Sequence, residues 1–331
     1  MALQEGPLIG RLRDRGHSVE VIATSGSRAA MARSAARLAV LLRRVRPQVV
    51  HGNGVKAAVV AVAATRLSAP LRPVPVVWMK HDVSLDGPVG RALARSCAAV
   101  ACVSREVASA LERTARTVII HPGVRIDAVR AVEAADELRR RLGLAGSVVT
   151  VIGRLDPAKG HSELLEALPH VVSEIPDVTA LLVGADDPQH PGVRERLSER
   201  ARRLRVSHRV QMPGHQPAAA VIAASDVVCV PTVPRPDGSG REGFGLVAAE
   251  AITLGVPVAG YDVGATGEVL QGAGRLVEVG NRVALAQEIV RLVVDPAARA
   301  YAVARGRERA ADLTIAHMAE RLSGLYREVA R

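Results

Sequence analysis

Short apolar runs alternate with amphipathic stretches along almost the whole chain. The runs are rich in β-branched residues and continuous, which is typical of strands buried on both faces. Between them, Ser162–Ser173 places Leu164, Leu165, Leu168 and Val171 at helical spacing. The predicted strands are Ser18–Ala23, Val49–His51, Val74–Trp78, Ala98–Val103, Thr117–Ile120, Val148–Ile152, Thr179–Val183, Arg209–Met212, Asp226–Val230, Val256–Ala259 and Arg275–Val279. This alternation predicts an α/β fold of doubly wound parallel sheets covered by helices.

The length of 331 residues suits two domains of this kind better than one. The alternation weakens between Pro122 and Gly146, where a polar, arginine-rich helical segment intervenes. We therefore expect an N-terminal domain over residues 1–130, a linker over 131–146 and a C-terminal domain over 147–311. The remaining residues 312–331 read as helices that could pack back on the first domain.

The start of the chain departs from the usual order of such a domain. Residues 3–15 predict a helix that ends at Gly16 and is followed at once by the strand Ser18–Ala23. A doubly wound domain normally opens with a strand. We expect the first strand of the N-terminal domain to be missing and a gap to lie in its sheet.

The formal net charge of +11 comes almost entirely from arginine, since only Lys56, Lys80 and Lys159 are lysines among 44 basic residues. Aromatic residues make up only 2% of the chain, and the arginines are spread along it. Nucleic-acid binding would need stacking platforms or a basic cluster, so we expect no nucleic-acid partner. Attraction to an anionic substrate or membrane surface explains the charge better.

Three features of the sequence indicate the cellular location of the protein: its cysteines, its N-terminus and the length of its apolar runs. Cys97, Cys102 and Cys229 have no metal-ligand spacing and fit reduced thiols. Residues 1–5 carry no signal pattern, and the apolar runs are shorter than a membrane span. We expect a cytoplasmic protein, with peripheral membrane contact through a basic helix over residues 27–46 as an open alternative.

Two strand–loop–helix stretches carry the candidate chemistry. In the first, a strand ends at Gly153 and is followed by Arg154, Lys159 and a helix from about Ser162. Helix N-termini and the carboxyl ends of parallel strands bind anions, and Arg and Lys complement phosphate oxygens. This arrangement favours diphosphate binding, although an ordinary strand–helix connection with two solvated cations remains equally open.

The second stretch leads from the strand Asp226–Val230 through a polar loop to Glu242-Gly-Phe-Gly and a helix carrying Glu250. Gly243 and Gly245 allow backbone N–H groups to approach a ligand closely. Glu250 has apolar neighbours, and a buried carboxylate needs a partner. We expect the two carboxylates to contact a sugar and a ribose diol; helix capping and solvent exposure are the structural alternatives.

Taken together, these stretches resemble the retaining glycosyltransferases of glycosyltransferase family 4. The matching segments are Gly153-Arg154-Leu-x-Pro157-x-Lys159-Gly160, the strand end at Gly184, Ser225–Pro231, Glu242 and Glu250 with seven residues between them, Gly255-Val-Pro-Val, and Gly264-Ala-Thr-Gly-Glu268. The resemblance implies the GT-B fold, in which two Rossmann-like domains face a cleft, and transfer of a hexose from a nucleoside diphosphate sugar with retention of configuration. No Asp-x-Asp pair occurs in the sequence, so no metal or other cofactor is expected.

The family assigns roles to individual positions. By resemblance, Arg154, Lys159 and the backbone of Gly243, Phe244 and Gly245 bind the donor diphosphate, Glu250 binds the ribose, and Gly184 and Val210 lie near the base. Glu242 and His81 would be catalytic, contacting the donor sugar. Weaker candidates for the same cleft are Lys80, Asp82, His51 and Asn53. The acceptor would be a carbohydrate, a lipid-linked sugar or a small molecule.

Two other functions stay open at this point. A sugar-nucleotide 2-epimerase uses the same two-domain architecture, although the acidic pair and basic loop match transferases better. A non-catalytic sugar-nucleotide-binding protein would explain the missing first strand.

Overall fold

The computed structural model describes residues 2–3, 6–25, 27–69, 73–111 and 113–331, apart from the side chain of Pro7. The chain divides into two compact units, Met1–Ile120 with Ala319–Arg331, and His121–Met318. A parallel sheet forms the centre of each unit. In the described part of the chain, every helix falls short of the length or the apolar character that a bilayer-spanning helix needs.

The strands, numbered along the chain, are β1 (Val50–Asn53), β2 (Val76–Lys80), β3 (Ala99–Cys102), β4 (Thr117–Ile119), β5 (Val148–Ile152), β6 (Thr179–Val183), β7 (Val210–Gly214), β8 (Val227–Val230), β9 (Val258–Tyr261) and β10 (Gly274–Val277). The α-helices are α1 (Pro7–Asp14), α2 (Arg28–Val45), α3 (Val55–Ser68), α4 (Pro88–Arg95), α5 (Arg105–Ala108), α6 (Ala128–Leu142), α7 (His161–Glu174), α8 (Val193–Arg203), α9 (Ala218–Ala223), α10 (Leu246–Thr253), α11 (Thr266–Leu270), α12 (Arg282–Val294), α13 (Pro296–Ala310) and α14 (Ile315–Val329). Ten of the eleven predicted strands are thus confirmed within a few residues.

The second unit has a six-stranded sheet in the order β10-β9-β8-β5-β6-β7, with every pair parallel. The chain leaves β5 toward β6 and β7 and then returns to β8 on the other side of β5. Strand order therefore reverses between β5 and β8, and this is where open α/β sheets bind ligands, beyond the carboxyl ends of the strands. Each of the two strand–loop–helix stretches that carry the candidate chemistry follows one of these strands. The loop with Arg154 and Lys159 follows β5, and the loop with Glu242 follows β8.

Alternate residues of the central strands pack on opposite faces of this sheet. Val149 and Leu182 belong to the apolar core that includes α7, α8 and α12. Val148 and Leu181 belong to a second core that includes α6 and α9. Burial on both faces explains why these strands read as continuous apolar runs.

Helix α6 occupies most of the segment expected to be a linker, residues 131–146. The Asp127 side chain accepts from the N–H of Arg130 at its start, and Gly143 ends it in the left-handed region with φ 63°. Ala135 and Leu138 are buried in the core shared with α9. The boundary between the units falls at Ile120/His121, and the arginine-rich face of α6 is its solvent face.

The first unit has a four-stranded parallel sheet in the order β1-β2-β3-β4. Helices α2 and α3 pack beside it, with Ala35, Leu38 and Leu42 buried against Val60 of α3 and a further residue, Ile22. The C-terminal residues Ala319–Arg331 belong to this unit.

The predicted strand Ser18–Ala23 is wrong, since only an isolated parallel bridge between Ala2 and Val21 forms there. Strand-like pairing nevertheless precedes α1, because the Ala2 N–H donates to Glu20 and the Ile22 N–H donates to Ala2. Of the helix expected over residues 3–15, Gln4 and Glu5 lie outside the described residues, and α1 covers Pro7–Asp14.

A groove of about 560 Å³ lies beside β1, which is the edge strand of this sheet. Leu3, Leu38, Leu42 and Val50 are among the residues that line it. The expected gap within the sheet is not found among the described residues, because β1, β2, β3 and β4 pair in succession and the groove lies at the edge of the sheet.

Candidate functional site

The loop after β5 presents Arg154 and Lys159 at the carboxyl edge of the second sheet. A short 3-10 helix, Pro157–Lys159, is capped by the Asp156 side chain, which accepts from the N–H of Ala158. Gly160 follows with φ 72°, and α7 then begins at His161. A Cβ on Gly160 would lie 1.8 Å from the carbonyl oxygen of Pro231, so glycine alone permits this close approach.

The loop after β8 brings Glu242 to the same place. The Lys159 Nζ donates to Glu242 Oε2 at 2.9 Å, and both side chains are only partly exposed. The Glu242 carbonyl accepts from the N–H of Ala265, and a Cβ on Gly264 would lie 2.4 Å from that carbonyl oxygen. The backbone of Glu242 is therefore fixed from the α11 side, while its carboxylate is held by Lys159.

Helix α10 begins directly behind this ion pair. Its N-cap is Gly245, with φ 94° and no side-chain cap, so the first N–H groups of the helix have no side-chain partner at the cap. Gly243 lies partly exposed just before it, and Phe244 is buried. Free N–H groups and the positive end of the helix dipole favour an anion here.

Glu250 lies in the second turn of α10 and is partly buried. Partial burial raises the pKa of its carboxyl group above the ordinary value. Among the described residues it has no hydrogen-bond partner, although a half-buried carboxylate is stabilised by one. A pair of ligand hydroxyls would supply that partner, which is the role that the family resemblance assigns to it.

The Arg154 guanidinium is held from one side by Asp187. Arg154 Nη1 donates to Asp187 Oδ2 at 2.8 Å, with the arginine side chain 61% exposed and the aspartate side chain 1% exposed. The hydrogen bond from the N–H of Gln189 lowers the pKa of Asp187 against the opposing effect of burial, and the His190 hydrogen bond and the positive charge of Arg154 lower it further. Asp187 is thus an ionised, buried carboxylate that leaves most of Arg154 exposed.

Asp156, Asp187 and His190 place their ligand atoms within 4.8 Å of one another, which is close enough to hold a metal ion. The same carboxylates already bind guanidinium groups: Arg154 bonds Asp187, and Arg235 Nη2 donates to Asp156 Oδ1 at 2.6 Å. Two arginines balance the two aspartates, and their positive charge opposes a divalent cation. The cluster is therefore organised as an ion-pair network.

The two base-region candidates lie at opposite ends of their strands. Gly184 directly follows β6, and a Cβ there would lie 1.7 Å from the carbonyl oxygen of Gly153, so the two loops touch backbone to backbone. Val210 begins β7 and pairs with Ala180 near the amino end of β6. Ligands of such sheets bind beyond the carboxyl ends of the strands, and Val210 lies at the amino end of β7. Gly214, at the carboxyl end of β7, is therefore the better candidate for the base region.

His121 supports the Glu242 loop from beneath. Its ring contacts Phe244 at a centroid distance of 5.7 Å, and its Nε2 lies 2.8 Å from Glu268 Oε1. Arg309 Nη2, which can only donate, lies 3.3 Å from Nδ1. Nδ1 therefore accepts and Nε2–H donates to Glu268, which orients the ring against Phe244.

In the first unit, His81 and Asn53 come together at the carboxyl ends of neighbouring strands. His81 Nε2 lies 2.5 Å from Asn53 Oδ1, so the imidazole donates to the amide oxygen. Partial burial lowers the pKa of His81, with an opposing contribution from Asp82. The neutral form, with Nδ1 free to accept a proton or hydrogen bond, is the form favoured near neutral pH.

The other three candidates in this unit make contacts within it. Lys80 is fully buried and donates to the Asp82 carbonyl at 2.5 Å and to Asp86 Oδ1 at 2.7 Å. The Asp82 carboxylate accepts from the N–H of Ser84 at 2.8 Å. Lys80 and Asp82 thus shape the loop after β2. His51 Nδ1 lies 2.7 Å from Tyr326 Oη of α14, and burial lowers its pKa.

Sequence reasoning missed Asp187, His190, Arg235 and His121. The signal for the first two was the polar turn Ala185-Asp-Asp-Pro-Gln-His after β6, which follows a strand in the same way as Arg154. Arg235 and His121 gave no comparable signal, because their partners are distant in the sequence.

The architecture matches solved glycosyltransferases over nearly the whole chain. A glycosyltransferase from Rickettsia africae superposes with a TM-score of 0.84 at 19% identity, covering 99% of this chain and 89% of that one. HepE of Anabaena, in complex with UDP and glucose, superposes with a TM-score of 0.79 at 23% identity, covering 98% and 89%. The two parallel-sheet units define a protein of the GT-B fold class.

Sequence similarity points to glycosyltransferases in both parts of the chain. Residues 146–295 match the family described as Glycosyl transferases group 1, and residues 8–128 match Glycosyltransferase Family 4. The chain therefore carries one domain of each of these two descriptions.

Its relatives include phosphatidyl-myo-inositol mannosyltransferase of Mycobacterium leprae, 34% identical over 56% of this chain and 47% of that protein. A second is the GDP-mannose-dependent monoacylated alpha-(1-6)-phosphatidylinositol monomannoside mannosyltransferase of Corynebacterium glutamicum, 33% identical over 58% of this chain and 51% of that protein. The chain spans about half the length of these relatives.

Proposed function

We propose that this chain is a retaining glycosyltransferase that moves a hexose from a nucleoside diphosphate sugar to an acceptor without a metal ion. The observation that carries the proposal is the Lys159–Glu242 ion pair at the uncapped N-terminus of α10. Lys159 supplies a cation for phosphate, and Glu242 supplies a carboxylate for sugar hydroxyls. The N-terminus of α10, next to this pair, adds helix N–H groups that no side chain caps. The matches to the two glycosyltransferase family models support the same activity.

The second unit would hold the donor. Lys159, Arg154 and the N–H groups beginning α10 bind the diphosphate, and the partnerless Glu250 accepts from the ribose hydroxyls. Glu242 exchanges part of its bond to Lys159 for the hydroxyls of the donor sugar. Gly184 leaves room for the base beside the contact between the loops after β5 and β6.

Transfer then depends on stabilising the leaving group. As the bond from the sugar to the diphosphate breaks, negative charge develops on the phosphate oxygen. Lys159, Arg154 and the helix N–H groups are in place before the reaction and need no reorganisation to stabilise that charge. These protein cations would do the work that a metal does elsewhere, and the acceptor would attack from the face that the leaving group vacates. In the first unit, His81, neutral and oriented by Asn53, is the residue that we propose as catalytic.

Mannose and an inositol lipid are the substrates that the relatives' names favour. We infer a mannose donor, with GDP as its nucleotide, and a phosphatidylinositol-type acceptor. A complex of the structural neighbour HepE contains UDP, so GDP and UDP donors have to be compared directly.

The test is a comparison of donors with the purified chain. GDP-mannose should raise the melting temperature, because a ligand that binds the folded state stabilises it, and UDP-, ADP- and TDP-sugars should do so less. Incubation with GDP-mannose and phosphatidylinositol should then release GDP only when the lipid is present. An isomerised sugar nucleotide would instead identify a 2-epimerase, and binding without release would identify a non-catalytic protein. No stabilisation by any of the four would contradict the proposed donor site.

A lipid acceptor requires contact with a membrane surface, and α2 is the candidate. Arg33, Arg37, Val40 and Arg44 follow one another at helical spacing and are all exposed, while Ala35, Leu38 and Leu42 face the core. Val40 is 65% exposed. A basic face with an exposed aliphatic residue is typical of helices that lie on anionic lipid.

We expect the chain to sediment with anionic vesicles at low salt and not with neutral ones. Changing Arg33, Arg37 and Arg44 together to glutamine should reduce that binding, because each basic residue near the surface contributes about 1 kcal/mol. The matched control changes three exposed arginines of α6, Arg130, Arg140 and Arg141. Equal, negligible pelleting with both lipids, or equal losses in both variants, would exclude α2 as the membrane face.

A further inference from the structure

We propose that Asp187 is a positioning residue for the donor diphosphate, acting through Arg154; the inference rests on the function proposed above. Asp187 lies on the loop after β6, and Arg154 lies on the loop after β5. The Asp187 carboxylate binds one nitrogen of the Arg154 guanidinium, and the arginine side chain stays 61% exposed.

The loop that carries Asp187 is itself fixed. Its backbone continues the ladder beyond the strands, since the Leu155 N–H donates to the Ala185 carbonyl at 2.9 Å and Leu155 bridges Asp186. The Asp187 Oδ1 accepts from the N–H of Gln189 at 3.0 Å. A rigid carboxylate therefore meets an otherwise flexible arginine, whose ordering would cost side-chain entropy if it occurred only on binding.

A chain of contacts extends from Asp187 to the loop that carries Glu242. His190 Nδ1 lies 3.3 Å from Asp187 Oδ2, and its Nε2 lies 3.2 Å from Arg235 Nη2. Arg235 only donates, so Nε2 accepts and the proton lies on Nδ1, which donates to Asp187. Arg235 also donates to Asp156, which caps the turn carrying Lys159.

The hydrogen-bond partners of the Asp187 carboxylate among the described residues are all donors: Arg154, His190 and the N–H of Gln189. An asparagine at this position keeps the shape but has only one accepting oxygen for these three donors. Asp187→Asn should thus weaken the hold on Arg154, because a neutral amide cannot form the charge-assisted bond and leaves at least one of the three donors without an acceptor. The fold of the loop should stay close to its original form.

Two effects of that substitution have opposite signs. Loss of a negative charge near the diphosphate would by itself tighten the binding of an anion. Loss of orientation would weaken it, because Arg154 then has to be ordered by the ligand. The loss of orientation should outweigh the loss of charge. The negative charge of Asp187 is already balanced by Arg154, so the pair has little net electrostatic effect on the ligand.

The test is a titration with GDP and with UDP by calorimetry. Asp187→Asn should weaken the better of the two by about tenfold or more, the size of one hydrogen bond to a charged group. The matched control is Asp186→Asn, whose carboxylate is 70% exposed and pairs with Arg194 instead; it should leave the dissociation constant unchanged.

A double-mutant cycle separates positioning from a general structural effect. If Asp187 acts through Arg154, Arg154→Gln and the double variant Arg154→Gln/Asp187→Asn should bind the nucleotide equally weakly. A structural effect would instead weaken binding by the same factor in both backgrounds. Should Asp187→Asn fail to fold, His190→Ala, which removes one donor to the same carboxylate, should show a smaller loss that is likewise absent in the Arg154→Gln background.

Unchanged or tighter nucleotide binding by Asp187→Asn, or an equal loss in both backgrounds, would overturn this inference while leaving the donor site in place. A wild-type chain that binds neither GDP nor UDP would contradict the proposed function itself, and the inference with it.

Discussion

Replacing Lys159 with alanine should weaken nucleoside diphosphate binding by roughly 1.5–3 kcal/mol, the value of a lost hydrogen bond to a charged group. Replacing Glu242 with alanine should abolish transfer but leave nucleoside diphosphate binding nearly intact. The Lys159–Glu242 ion pair explains the difference, since loss of the carboxylate frees the Lys159 ammonium for phosphate. Calorimetry with the diphosphate and a transfer assay with the sugar nucleotide measure the two effects separately.

Lys56→Ala is the matched control for the lysine variant, because Lys56 is exposed on α3 in the other unit. It should change neither measurement. Near-normal turnover in both Lys159→Ala and Glu242→Ala would show that the donor binds elsewhere.

Gly160→Ala should destabilise the second unit by about 2–5 kcal/mol and disable the donor site. A left-handed backbone costs an alanine about 1–2 kcal/mol, and forcing extra volume into a packed contact typically costs a further 1–3 kcal/mol. The added Cβ would lie 1.8 Å from the Pro231 carbonyl oxygen, so the turn must move away from the loop after β8. Because Lys159 directly precedes Gly160, this movement should also separate Lys159 from Glu242.

Gly143→Ala isolates the backbone contribution. Gly143 has φ 63° but no atom within 4 Å of an added Cβ, so it should cost only about 1–2 kcal/mol and leave nucleotide binding unchanged. Urea unfolding gives the free energies, with each transition analysed separately in case the units unfold independently. Similar losses in the two variants would show that contact with Pro231 does not constrain the Lys159 turn.

The loops of the proposed donor site are the part of this protein that the sequence indicated most directly. Arg154 and Lys159 follow one apolar strand, Glu242 precedes the helix that holds Glu250, and parallel strands bring such loops to one edge. The ion pair between Lys159 and Glu242 could not be predicted, because it depends on β8 lying next to β5. Residues 83 positions apart meet only once the strand order is set.

The first unit shows where local patterns fail. Residues 18–23 have the composition of a strand, but a strand also needs partners, and only Val21 pairs, with Ala2. Lys80 looked like a candidate for the cleft because lysines are scarce. In the fold its stem lies in a fully buried strand and its ammonium is satisfied by Asp82 and Asp86.

By itself, the sequence determined the α/β class, the two sheets, nearly every strand and the residue types at the proposed donor site. These follow from apolar periodicity and from glycines, cations and carboxylates placed at strand ends, all of which are local features. Only the tertiary structure decided which side chains hold one another: Asp187 behind Arg154, His121 beneath Phe244, and Gly184 against Gly153. The physical reason is that packing and hydrogen bonding join atoms that are near in space, and the strand order that brings them together is not written in any single segment.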